Sequence, residues 1–422
     1  MTRNIVLLFI LGTIMIGIVA PVIAVMMGVQ TDIYQDFRGF APSAAVLFAT
    51  VLLVVVTYSI WNKGERLPDR RFPELNSIQL AIIVVMLLVW TSAFVAFGGL
   101  SYRVEDVSVG IAGRNPILVI AQSLTNLMII ISVASLTLTT HNPIRQGLIW
   151  LLNLTFIGVI AASGSRGLLL AWISTLFIAR IMRKSRIGVP PAPGEPERTE
   201  APDFLREVVR LPVIVASSVL LFGFGVWGAL RDQYNDVGFS LLLRVSEPYW
   251  YIAADTNADL GNHPYVLAES FWRIVTIPAR WFGYDPGSSI EGQEYILERY
   301  LGIPFVEGVS LPITLIGEGY LFFGPLGVII YMFLGAGIVI SAFKLIERLP
   351  FSARQIYWAF IAQFAAKIIF AYARSLSGLF LVAWYEPMRD FVILTLLLYP
   401  WRTRIGDETN DAREAGHHAY PV

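Results

Sequence analysis

Long apolar stretches recur along this chain, each near the length of a helix that crosses a bilayer, and most charged residues fall between them. A helix rises about 1.5 Å per residue, so roughly 20 residues cover the ~30 Å of hydrocarbon in a membrane. Runs of that order lie near 4–28, 41–61, 78–100, 116–140, 145–163, 167–182, 211–230, 318–344, 355–374 and 387–401. The expected fold is therefore all-α, a polytopic membrane bundle of about ten transmembrane helices. Composition agrees. The chain is 56% hydrophobic and 15% charged, whereas soluble domains are about a quarter charged, and one soluble core could not hide so much apolar surface.

Lys and Arg are retained on the cytoplasmic side of short loops. With the amino terminus inside, the inner segments hold Arg3, then Lys63 to Arg71, Arg145, a cluster from Arg180 to Arg210, then Lys344, Arg348 and Arg354, and finally Arg402, Arg404 and Arg413. The short outer loops hold Arg38, Arg103, Arg114, Arg166, Arg374 and Arg389. An even number of spans then places both termini in the cytoplasm. The run from Asn4 to Gly28 exceeds a signal-peptide core and lacks a small-residue cleavage site, so it reads as a retained span.

Expected organisation follows: helices one to six in 1–182, a linker at 183–210, helix seven at 211–230, a large outer loop at 231–317, helices eight to ten in 318–401, and a cytoplasmic tail at 402–422. The linker is rich in Pro and charge, as disordered segments are. The outer loop is dense in Trp, Tyr, Phe and Arg, and short surface helices are expected at 266–283 and 289–301. Spans five and six meet at Gly164-Ser165-Arg166-Gly167, too short for a loop, so irregular backbone is expected there.

Several chemistries are disfavoured. The formal net charge is zero, which gives no whole-protein attraction to nucleic acid. The chain has no Cys and four His, so thiolate catalysis is excluded and a multi-histidine metal centre is not expected. Intramembrane proteolysis would need a serine with a partner histidine, or two aspartates, within spans; Gly164-Ser165-Arg166-Gly167 superficially resembles such a serine motif, but no histidine within a span accompanies it. A transporter would show paired charges near the bilayer midplane or inverted repeats of broken spans; neither is legible in the sequence.

The basic residues assigned outside the cytoplasm are all arginines, among them Arg166, Arg244, Arg273, Arg280 and Arg374. A guanidinium offers a planar fork of donors that matches phosphate oxygens in pairs. The chain has only four Lys, so base usage explains part of this pattern. Arg166, between glycines at a span junction, is the most informative, because backbone N–H groups there can also point at an anion; the bland reading is a side chain snorkelling to headgroups. Arg273 and Arg280, seven residues apart, would share a helical face, against the simpler reading of an interfacial helix salt-bridged to Glu269. Glu318, flanked by Gly317 and Gly319, reads either as a helix cap or as a general base with room for a ligand beside its oxygens. His263, in a Gly-Asn-His-Pro turn, is the alternative base or an idle surface residue. Gln363, Lys367 and Arg374 climb one face of span nine, where Lys367 is purposeful or snorkels.

The junction Ser165-Arg166-Gly167, the long outer loop before Pro312 to Gly324 (PITLIGEGYLFFG), the Gly-rich span after it and the late Arg374 together resemble the Wzy-type O-antigen or oligosaccharide repeat-unit polymerases. The resemblance covers about 163–389. It implies a GT-C-like membrane glycosyltransferase with a large helical periplasmic loop in the bacterial inner membrane, needing neither metal nor cofactor. Its substrates would be undecaprenyl-diphosphate-linked oligosaccharides, its neighbours membrane lipids, a chain-length regulator and a flippase. It implies transfer of a growing glycan from its lipid diphosphate to the non-reducing end of a new repeat unit, with inversion. Arg166, Arg244, Arg273, Arg280 and Arg374 would hold the diphosphate, and Glu318 or His263 would assist the attacking hydroxyl. O-antigen ligase, which moves finished polymer onto lipid A core, is the nearest rival reading; a lipid-linked glycan transporter is more distant.

Overall fold

The computed structural model describes residues 2–14, 41–60, 72–97, 116–137, 142–163, 166–184, 315–369 and 375–402. Within them every element is helical: α1 (Thr2–Ile14), α2 (Ala41–Ile60), α3 (Ser77–Ala96), α4 (Pro116–Ser123), α5 (Thr125–Leu136), α6 (Pro143–Ala162), α7 (Arg166–Lys184), α8 (Leu315–Arg348), α9 (Arg354–Ile369), α10 (Leu376–Phe380) and α11 (Glu386–Leu398). A π-helical turn, Leu381–Tyr385, joins α10 to α11, and a 3-10 turn, Tyr399–Trp401, follows α11. The seventh expected span and the two expected surface helices lie outside the described residues, as do the linker, outer loop and tail apart from their edges: α7 runs to Lys184, into the expected linker, and α8 begins at Leu315, inside the expected loop.

Three stretches, Ser77–Ala96, Pro143–Ala162 and Phe322–Arg348, are long and apolar enough to cross a membrane. Their outward faces say the same. On α6, Ile144, Leu148, Leu151 and Leu154 are each more than half exposed, spaced three and four residues apart along one stripe. Leaving such a side chain in water forfeits about 1.5–3 kcal/mol of burial apiece, and a lipid surround removes that loss. The chain is a membrane protein. Shorter apolar helices, Ile5–Ile14, Val46–Thr57, Thr125–Leu136 and Leu168–Arg180, coincide with other expected spans.

The bundle is organised around α9, which packs on α1, α5 and α7. From Ala359 to Ala366 the helix is buried on every side, as a helix without a polar face must be. Around α5, α6 and α7 a neutral network replaces apolar contact. Asn153, fully buried, donates from Nδ2 to Ser135 Oγ at 3.1 Å and to Ile149 O at 2.7 Å. The Ser132 hydroxyl donates to Asn153 Oδ1 and accepts from Trp172 Nε1 at 2.8 Å. Interhelical bonds of this kind hold membrane helices where lipid supplies no hydrophobic drive.

At one end of the bundle three helix termini meet. Arg354 N donates to Pro73 O at 2.6 Å, Leu75 N donates to Gln355 Oε1 at 3.1 Å, and Gln79 Nε2 donates to Leu398 O at 3.1 Å. Asn76 and Gln79 form a capping box that starts α3. The starts of α3 and α9 and the end of α11 therefore share an end, as alternating spans require.

Two expectations are corrected. The run expected as a single span from 318 begins earlier and is folded on itself: Gly324 has φ 60° and ψ −148°, and Pro325 follows it. Only glycine enters that region without strain, and proline removes the next donor. Residues 315–323 turn back along 325–348, and the two arms touch through glycines: a Cβ at Gly327 would lie 1.9 Å from Gly319 O. The short arm, nine residues or about 13 Å long, is a half-helix tucked into the bundle. The last span begins not at 387 but at Leu376, running through the π-turn to Leu398. The expected boundary rests on a charged residue as the mark of the membrane surface, and here the charges lie inside the helix.

Candidate functional site

Extending the last helix back to Leu376 carries Glu386, Arg389 and Asp390 from the expected membrane surface to about 15–20 Å along a helical run of about 34 Å. Arg389 is thus not in an outer loop. There α11 meets α9 and α5. Lys367 Nζ lies 2.6 Å from Glu386 Oε2, with side chains 12% and 17% exposed. Asn126 Nδ2 donates to the same oxygen at 3.0 Å, and Gln363 Nε2 donates to the Asn126 carbonyl at 2.8 Å. Arg389 contacts Asp390 Oδ1 through Nη2 at 2.6 Å and Nε at 2.8 Å, and this pair is more deeply shut in, at 9% and 1%.

Among the described residues the cluster holds two cations and two carboxylates. Balance is what allows it there, because a lone charge in so apolar a setting is far costlier than a matched pair. Lys367 does not snorkel; it is paired. The finding also corrects the reading that paired charges are missing from the spans: α9 and α11 carry them across from each other.

The π-turn has a local cause. Pro387 has no N–H and its ring crowds the carbonyl four residues back, at Ala383. A widened turn over Leu381–Tyr385 relieves that clash without breaking the helix. The indole of Trp384 in this turn donates to Ile338 O and Ser341 Oγ, both at 3.2 Å, tying it to the long arm of α8.

Glu318 sits at the other feature of interest. It is on the short arm of α8, 1% exposed, and its Oε2 accepts from Leu376 N at 2.6 Å. The carboxylate therefore caps the start of the last helical run, where Ser375 Oγ also accepts from Gly378 N at 3.2 Å. An acid is favoured at a helix start, although the helix it caps is not its own. Gly319 does not open space for a ligand. A Cβ there would come within 2.6 Å of Gly327 O, so the residue serves the close approach of the two arms.

The chain matches no family model, no curated protein and no solved structure.

Of the expected diphosphate ligands, Arg166 is the first residue of α7, at the helix start that the Gly-Ser junction implied. Arg244, Arg273, Arg280 and Arg374 lie outside the described residues, as does His263. Among the described residues no group of three or more His, Asp and Glu side chains is placed to hold a metal ion. Sequence reasoning missed Asn126, Glu386 and Asp390. One signal was present: Glu386 and Asp390 stand four residues apart between two apolar runs, 376–385 and 391–398, each too short to span alone. Together they make one helix with carboxylates on one face.

Proposed function

We propose that the chain is a multi-pass glycosyltransferase of about ten spans, with both termini in the cytoplasm, that polymerises undecaprenyl-diphosphate-linked repeat units at the periplasmic face of a bacterial inner membrane. The observation that carries the reading is Arg166 opening α7 directly after a Gly-Ser junction. A helix start offers free N–H groups and positive potential, and an arginine there adds a forked donor, which together suit a phosphate. The folded-back arm of α8 supports it as well, since half-helices inside a bundle occur where a membrane protein lines a substrate cavity.

Arg166 holds the lipid diphosphate and stabilises the charge it gains as the glycosidic bond to it breaks; the other outer arginines complete the clamp. Glu318, buried and already accepting a backbone N–H, acts by fixing the start of the last helix, which leaves His263 as the candidate base. Purified protein given a synthetic lipid-diphosphate repeat unit and no nucleotide sugar yields a ladder of products on this reading. No ladder, but transfer of the glycan to lipid A core once that acceptor is added, indicates a ligase instead. Arg166→Ala lowers the polymerisation rate by about a hundredfold or more, and an unchanged rate in that variant removes the assignment.

A second reading, transport of a lipid-linked glycan, is favoured by one observation, the paired charges of α9 and α11 deep in the bundle. Glycan movement across proteoliposomes without any gain in chain length would select it.

A further inference from the structure

Between the long arm of α8 and the run from α10 into the π-turn lies an open groove of about 700 Å3. One wall is a single face of α8, where Phe333, Gly337 and Ser341 follow at four-residue steps. The other is the stacked pair Phe380 and Trp384, with ring centres 6.2 Å apart and planes 7° from parallel. The bonds from the Trp384 indole to Ile338 O and Ser341 Oγ hold that wall in place. A Cβ at Gly337 would meet nothing within 4 Å, so the floor is empty rather than packed. Ile330 and Leu334 on the rim are 40% and 43% exposed. This face belongs to Phe322–Arg348, one of the stretches able to cross a membrane, so what bathes it is lipid. Ser341 is the one hydroxyl among the lining side chains.

The groove face continues past Ser341 to Lys344 and Arg348, three and seven residues on, both exposed. They lie about 4.5 and 10.5 Å further along the helix, at the end that the distribution of Lys and Arg puts in the cytoplasm. Glu347 stands about 100° round the helix from Arg348, off the groove face. A cation in the last turn of a helix is favoured by the dipole whatever lies beside it, but that does not account for an unfilled apolar groove leading to two of them. We propose that the groove holds one acyl chain of an anionic phospholipid from the cytoplasmic leaflet, with the lipid phosphate against Lys344 and Arg348. The chain fills space that the helices leave, and the two cations choose the headgroup. A zwitterionic phospholipid offers the same chain but carries its own ammonium beside the phosphate, which weakens its attraction to Lys344 and Arg348. A lipid diphosphate working at the periplasmic face has its phosphates at the opposite end.

Neither Arg166 nor the Lys367–Glu386 pair lines the groove, and the test needs no glycan, so the proposal stands or falls apart from the polymerase reading. Full-length protein in mild detergent is exchanged against equal amounts of phosphatidylglycerol, phosphatidylethanolamine and undecaprenyl phosphate. Native mass spectrometry then counts the lipid that each chain keeps. The expected result is one phosphatidylglycerol per chain, kept about tenfold or more over phosphatidylethanolamine. Lys344→Gln with Arg348→Gln brings the two phospholipids to parity. Gly337→Leu fills the floor and lowers retention of both by about tenfold or more; if that variant does not fold, Leu334→Trp, which covers the groove from its rim, takes its place. Gly158→Leu, on the lipid-facing side of α6, changes neither. The proposal is overturned by equal retention of the two phospholipids in the unaltered protein, by retention that neither the groove variant nor the charge variant moves, or by a matching loss in Gly158→Leu. Preference for undecaprenyl phosphate, or a dimer that carries no lipid, overturns it as well.

Discussion

Two buried polar regions hold this bundle, and they are built on opposite principles. The network of Ser132, Ser135, Asn153 and Trp172 is neutral, uses hydroxyl, amide and indole groups, and joins α5, α6 and α7. The cluster of Lys367, Glu386, Arg389 and Asp390 is ionic and joins α9 to the last helix, with α5 reaching in through Asn126. Removing a group from the first leaves a dipole without a partner; removing one from the second leaves a whole charge in an apolar medium. The neutral network is cheap to build and tolerant. The ionic one is costly to unbalance.

The contrast can be broken most forcefully at Lys367. Lys367→Met removes the ammonium paired with Glu386 and is expected to destabilise by about 3–5 kcal/mol, read as a fall in thermal-unfolding midpoint in detergent. Adding Glu386→Gln recovers most of that loss, and a double variant as unstable as the single would show that the pair is not the cause. Asn153→Leu, the matching lesion in the neutral network, costs about 1–2 kcal/mol by the same assay. A loss equal to that of Lys367→Met would erase the distinction between the two regions. Gln79→Ala removes both a capping-box partner and the bond to Leu398 O at the shared end of α3 and α11, for about 1 kcal/mol. The smallest effect is expected on the lipid-facing side of α6, where a Cβ at Gly158 meets nothing within 4 Å. Gly158→Ala gains up to about 1 kcal/mol from helix propensity, and a measurable loss there would mean that the face is covered rather than bathed in lipid.

Helices fared unevenly as objects of sequence reading. The bounds of α2, α3 and α6, read as 41–61, 78–100 and 145–163, fall within a few residues of Ala41–Ile60, Ser77–Ala96 and Pro143–Ala162, because each is an uninterrupted apolar run. The run beginning near 318 misled for the opposite reason. Its hydropathy is continuous across Gly324 and Pro325, so nothing in a count of apolar residues marks the reversal, although the Gly-Pro pair itself is a turn signal. The last span misled through its charges, which read as an end because Lys367, the partner of Glu386, lies on another helix, nineteen positions away in sequence. For the candidate site, a helix start near Arg166 was legible from Gly164 and Ser165 before it, although the irregular backbone expected over 164–167 gives way to helix from Arg166 on. The use of Glu318 to cap a helix 58 residues later was not.

Sequence by itself determined that this chain lives in a membrane and is helical there, since backbone groups in hydrocarbon must be satisfied within their own segment and apolar length sets the spans. Tertiary structure alone decided where its charges go. Glu386 lies inside the bundle where a cation from another helix, Lys367, meets it, and that meeting depends on packing that no local pattern records.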